Sequence, residues 1–179
     1  MMEELLVLVD ENDNELGVMD KLSIHRSGML HRAFSLFIFN SRSELLLQQR
    51  AADKYHSGGL WSNSCCSHPR LGESVPDALS RRLKEEMGIE CPAHFKFSFI
   101  YKVELENGLT EHELDHVYFG ITDEIPKPDS SEVQAWKYNS LTALEEEILH
   151  SPGKYSAWLK ICLPKVKSYF ISKTIEDNA

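Results

Sequence analysis

The segment SVPDALSRRLKEEMGIE, residues 74–90, constrains the fold more than any other part of the chain. Ser74 and Asp77 have the spacing of a capping box, and Pro76 stands in the first turn, where a missing N–H costs nothing. Val75, Leu79, Leu83 and Met87 recur every four residues and share one helical face; Gly88 supplies the stop. This helix has one apolar face to bury, and the sequence around it is patterned for strands. Phe95, Phe97, Phe99, Tyr101, Val103 and Leu105 alternate with mostly polar neighbours, which predicts a strand with one buried face. ENGLTE then turns the chain, and 113–122 reads as the returning strand. Upstream, residues 5–9 are an apolar run ended by the turn-rich DENDNELG, and 33–39 and 44–49 flank NSRS, so two further hairpins are expected. Residues 132–138 form a shorter strand, and Ser140 caps the acidic helix LTALEEEILH. A last helix over roughly 155–172 is expected to kink or break near Pro164. Strands on both sides of one central helix, with helices closing the chain, predict an α/β class of the α+β kind in a single domain over 1–179.

The balance of charges narrows the partners. A formal net charge of −9 over 179 residues argues against a nucleic-acid backbone as ligand. A phosphorylated small molecule stays compatible, provided that Lys and Arg cluster locally or a metal ion helps. The cysteines, Cys65, Cys66, Cys91 and Cys162, lack the spacing of a zinc ribbon or a disulfide scaffold. The opening MEELLVLVD is too short and too acidic for a signal peptide or a membrane span. The expectation is a cytoplasmic chain with reduced thiols and no membrane contact.

Several side chains could carry chemistry if the fold gathers them. Glu111 and Glu113 share a strand face with Val117 and Phe119, so at least one carboxylate should point inward, and a buried carboxylate requires a cation or a metal. With His25, His31 and His68 they would make a nitrogen and oxygen site for Zn²⁺, Mn²⁺ or Mg²⁺. Scattered His and Glu are more often solvated, and a free cysteine such as Cys66 is more often a small buried hydrophobe. In WSNSCCSHPRLGE (61–73), Cys65 should face away from Cys66, so the two thiols should not share one role.

Counted back from Gly88, the helix resembles the signature of the Nudix superfamily, matching at Glu73, Arg81, Leu83, Glu85, Glu86, Gly88 and Ile89. Ser67 replaces the signature's first Gly. Arg82 replaces a Glu that in the hydrolases helps to hold the catalytic metals, which makes diphosphate hydrolysis the weaker alternative. The plain alternative is an amphipathic helix with Arg81–Glu85 and Arg82–Glu86 pairs. Together with HRSGMLHRAFS (25–35), WSNSCCSHP (61–69) and EHELDHVYFG (111–120), the chain closely resembles the type I isopentenyl-diphosphate isomerases over roughly 5–160.

That resemblance implies a Nudix-type mixed sheet sandwiched between helices and a small-molecule diphosphate substrate. It further implies that Cys66 and Glu113 form an acid–base pair supported by Tyr101. His25, His31, His68, Glu111 and Glu113 would hold a first divalent ion, and Glu86 with the carbonyl of Cys66 a Mg²⁺ on the diphosphate. Lys21, Arg50, Lys54 and Arg82 would surround the phosphates, and Trp158 the hydrocarbon tail. The family commonly has Phe-Pro-Gly before the motif's Trp, whereas this chain reads YHSGGLW (55–61). Its two glycines are expected to loosen that loop. Turning Cys66 and His68 to different tasks is expected to require a bend at Ser67 or Pro69.

Overall fold

The computed structural model describes residues 5–176, with side chains through residue 170. β1 (Leu5–Val9) and β2 (Glu15–Asp20) form the first hairpin, and Asp10 Oδ1 closes its turn by accepting from the amides of Asn12 at 2.8 Å and Asn14 at 2.9 Å. A short helix follows, α1 (Lys21–Ser27), capped by Asp20 and ended by Gly28 at φ 63°. At seven residues it is too short to show a period in the sequence. Next come β3 (His31–Phe39), β4 (Leu45–Arg50), β5 (Trp61–Ser62) and β6 (Cys65–Ser67). The capped helix is α2 (Val75–Met87), with Ser74 Oγ accepting from the Asp77 amide as the spacing predicted.

A long hairpin of β7 (Ala93–Glu104) and β8 (Thr110–Ile121) turns through a 3-10 segment at Glu106–Gly108. β9 (Val133–Asn139), α3 (Leu141–His150) and α4 (Ala157–Glu176) complete the order. The last helix runs unbroken through Pro164, so of the expected kink or break the break does not occur. Among the described residues no helix is long and apolar enough to cross a membrane.

β3 organises the mixed sheet. It runs parallel to β8 in register from His31 with Glu113 to Phe39 with Ile121, and antiparallel to β6, where Ser35 meets Cys66. Both its faces are covered, which is why AFSLFIF is almost continuously apolar. Phe34, Leu36 and Ile38 pack with Leu79, Leu83 and Met87 of α2. Phe37 and Phe39 pack on the other face with Val117, Phe119, Leu144 of α3, and Leu159 and Leu163 of α4. The sheet is therefore sandwiched between α2 and the pair α3 and α4.

The alternation of β7 gives one sheltered face from Phe97 to Val103 and breaks only at Phe95. Its pairing with β8 skips Lys96, so Phe95 stands opposite Tyr118 and Phe97 opposite Val117, and the bulge sends the two phenylalanines to opposite faces. Phe95 is 52% exposed, and Tyr101 is the one buried residue of this strand.

Candidate active site

Period-two direction along the strands decides what the site contains. His31 and Ser35 of β3, Cys66 of β6, and Glu113 and Asp115 of β8 lie on one face, beyond the apolar layer of Phe37, Val117 and Phe119. His25 on α1 and Glu111 at the start of β8 come to the same end of the sheet. One potential ligand atom from each of His25, His31, His68, Glu111 and Glu113 lies within 4.8 Å of the others, and all five residues are buried. His25 Nδ1 donates to the Lys21 carbonyl at 2.6 Å and His31 Nδ1 to the Met29 carbonyl at 2.9 Å. Both rings therefore turn Nε2 inward.

His31 Nε2 lies 3.2 Å from His68 Nε2, His68 Nε2 2.9 Å from Glu113 Oε1, and His25 Nε2 3.2 Å from Glu111 Oε2. Within the protein, His25 Nε2 and Glu111 Oε2 have no hydrogen-bond partner although both are buried. Burial, reinforced by His31, holds the His68 imidazole well below its usual range and so neutral. Three inward imidazole nitrogens beside two carboxylates fit a divalent cation.

β6 separates the two cysteines. Cys65 is fully buried in the α2 core, while Cys66 is half-buried and lines a cavity of about 100 Å³. Cys66 and His68 both line that cavity, as residues two apart on extended backbone do, so the expected bend at Ser67 or Pro69 is not needed. Burial, partly opposed by Arg50, pushes the Cys66 thiol up to about 12, so sulfur keeps its proton. Tyr101 Oη donates to Glu113 Oε2 at 2.7 Å. Burial and the Glu113 charge push the tyrosine well up, making it a fixed donor. Burial pushes the Glu113 carboxyl up, but His31 and Tyr101 outweigh it and hold the group below its usual range.

The alternation that turns Glu113 inward also reaches Asp115, which carries no motif of its own. That residue is 1% exposed, and burial together with the Glu113 charge, partly opposed by Ser35, pushes its carboxyl well up.

Lys21, Arg50, Lys54, Arg82 and Glu86 line the same cavity as Cys66 and Glu113. Glu132, in sequence merely the start of a strand, pairs with both Lys54 and Arg82. Glu86 accepts from Gln48 Nε2 at 2.8 Å and pairs with Arg82. Trp158 is buried on α4, donates from Nε1 to Ser62 Oγ at 2.8 Å, and carries the Arg50 guanidinium 5.2 Å from its ring centre.

The loop before Trp61 is not loosened by its glycines. Gly58 comes so close to the chain that a Cβ would meet the Ala52 carbonyl oxygen at 2.4 Å. The Ser57 amide donates to the Glu106 carboxylate, and Gly59 N and Leu60 O bond to the backbone of Arg50. The loop brings Tyr55 and His56, neither singled out from the sequence, to the cavity wall.

Residues 29–159 match the NUDIX domain family. A protein of Aromatoleum aromaticum named isopentenyl-diphosphate Delta-isomerase 1 is 53% identical over 165 residues, covering 92% of this chain and 93% of its own. The chain belongs to the type I isopentenyl-diphosphate Delta-isomerase family of the Nudix superfamily. The isopentenyl-diphosphate Delta-isomerase of Pectobacterium atrosepticum is 49% identical over 165 residues, 92% of each chain. Among solved structures, DR0079 of Deinococcus radiodurans superposes with a TM-score of 0.76 at 20% identity, covering 90% of this chain and 98% of its own. A likeness of that kind speaks for the Nudix fold alone. Within it, Arg82 bonds to Glu85 at 2.7 Å and also pairs with Glu86 and Glu132. Its guanidinium occupies carboxylates where the Nudix hydrolase signature has another acid.

Proposed function

We propose that this chain, acting as one domain in the cytoplasm, interconverts isopentenyl diphosphate and dimethylallyl diphosphate. The observation that carries the reading is a single cavity lined by a protonated thiol, a hydrogen-bonded carboxylate and four cationic side chains. Cys66 and Glu113 come from β6 and β8, which flank β3 on its two sides. Lys21, Arg50, Lys54 and Arg82 bind the diphosphate. Unit charges 4 Å apart interact by roughly 4 kcal/mol at an effective dielectric of 20, so clustered cations matter greatly in a chain at −9.

The 1,3 shift adds a proton at C4 of the alkene and removes one from C2, through a tertiary cation. Cys66 Sγ and Glu113 are the two groups between which these protons pass, and they exchange parts when the reaction reverses. Tyr101 Oη holds Glu113 in place by its hydrogen bond. Trp158 covers the tail and excludes water that would trap the cation as an alcohol; an aromatic face stabilises a desolvated cation by about 2 kcal/mol. His25, His31, His68, Glu111 and Glu113 would hold one divalent ion (Mg²⁺, Mn²⁺ or Zn²⁺), and Glu86 with the Cys66 carbonyl a Mg²⁺ on the diphosphate. Bound there, the ions supply charge neutralisation for phosphate and carboxylate.

The test is conversion of isopentenyl diphosphate with Mg²⁺ into acid-labile allylic product, with deuterium taken up from D₂O. Cys66→Ala and Glu113→Gln should each abolish turnover while leaving the circular-dichroism melt intact. Substantial turnover in both variants defeats the assigned roles. Phosphate released from nucleoside diphosphates, with no allylic product, would favour the hydrolase alternative.

A further inference from the structure

His56 stands just outside the cluster of five and touches it. Its Nε2 is 3.4 Å from Glu111 Oε1, while the other oxygen of that carboxylate faces His25 Nε2 at 3.2 Å. Glu111 thus lies between two imidazoles, one inside the cluster and one behind it. The far nitrogen of His56, Nδ1, lies 3.3 Å from Ser57 Oγ, which is placed to donate to it. That tautomer puts the remaining hydrogen on Nε2, the nitrogen 3.4 Å from Glu111 Oε1.

The ring is held firmly. It is 5% exposed, and its centre lies 4.3 Å from the Tyr55 ring and 5.8 Å from the Trp158 indole, both near-perpendicular. Its backbone is fixed as well, since the His56 carbonyl accepts from Arg50 and the neighbouring Ser57 amide donates to Glu106. Gly58, which could carry no side chain against Ala52, sets the path of the loop.

We propose that His56 is a positioning residue of the metal centre, whose Nε2–H pins Glu111 Oε1 and leaves Oε2 free for a divalent cation. The proposal rests on reading the His/Glu cluster as a metal centre. A carboxylate fixed through one oxygen has less freedom to lose when the other binds an ion, and such outer contacts are worth about 10–100-fold in metal affinity. His56 is not counted as a ligand, because it stands outside the five residues whose ligand atoms gather within 4.8 Å of one another.

Full-length protein stripped with chelator and titrated with Co²⁺, read by calorimetry and visible absorption, separates the possibilities. His56→Phe keeps a ring against Tyr55 and Trp158 but has no N–H; His56→Gln loses the ring but keeps an N–H donor. The expected result is one equivalent bound to wild type, roughly 10–100-fold weaker binding with shifted absorption bands in His56→Phe, and recovery in His56→Gln. His25→Ala, as control, should lose the site. Equal affinity and spectrum in wild type and His56→Phe overturn the role of His56 while leaving the metal centre standing. A folded wild type that binds no Co²⁺ overturns the metal centre and the role of His56 with it. A purely structural role predicts the reverse order, with His56→Gln the weaker.

Discussion

Trp158 is held by a hydrogen bond as well as by packing. Its Nε1 donates to Ser62 Oγ at 2.8 Å in a fully buried spot, and Ser62 Oγ lies 3.1 Å from Ser156 Oγ. Ser62→Ala removes the acceptor and leaves an indole N–H buried without a partner, which costs about 1–3 kcal/mol. Denaturant unfolding should show that loss at unchanged m-value, and turnover should fall along with it. A variant as stable and active as wild type would show that Trp158 is held by packing alone. At this scale the sequence was most informative where motifs stand close together: WSNSCCSHP and EHELDH name Cys66, His68, Glu111 and Glu113, and all four line the cavity. Asp115 obeys the same alternation as Glu113 and was missed because no motif position drew attention to it. His56 was missed for a different reason. Its contact with Glu111 depends on how the 55–59 loop folds back against residues 51 and 52, which a linear reading does not contain.

Elements were legible where local rules decide them. α2 carries its cap, its apolar stripe and its stop in sequence, and the structure begins and ends it accordingly. The β7 bulge was not legible, because skipping Lys96 is a property of the pairing with β8 rather than of either strand. α2 is also tied to the loop before it. Glu73 accepts from Arg81 Nε at 2.7 Å and Nη2 at 2.8 Å, and this paired guanidinium holds the Glu73 carboxyl below its ordinary 4.5. A carboxyl whose pKa is lowered on folding adds stability above its unfolded value, and that stability disappears as pH falls through the lower folded value. Glu73→Gln should therefore lose about 1 kcal/mol at pH 7, toward the upper end for a partly exposed pair. As pH falls below the ordinary 4.5 and through the lowered folded value, the difference between variant and wild type should shrink. Thermal melts at pH 7, 5 and 3.5 check this; a constant difference across all three would mean that Glu73 contributes packing, not charge.

For the whole molecule, the central fact is an acidic chain that also buries acids. Glu86, Glu111, Glu113 and Asp115 are all buried, in a chain whose net charge is −9. Cations of the protein answer only part of this: Arg82 serves Glu86, while Glu111 and Glu113 face imidazoles that are themselves costly to charge in a buried site. A divalent ion at the five-residue cluster removes that penalty in the folded state and has no matching site in the unfolded chain. Its binding therefore adds RT ln(1 + [L]/Kd) to stability, about 2.7 kcal/mol at a hundredfold excess over Kd. For a chain of this size each kcal/mol moves Tm by about 2–4 °C, so saturation with Mn²⁺ or Zn²⁺ should raise Tm of chelator-stripped protein by roughly 5–10 °C. Glu111→Gln should abolish most of that rise, because it removes the carboxylate charge that favours the ion. His150→Ala, on an exposed turn of α3 well away from the cluster, should leave it unchanged. A stripped protein whose melt ignores added metal would mean that the clustered imidazoles and carboxylates balance one another without an ion.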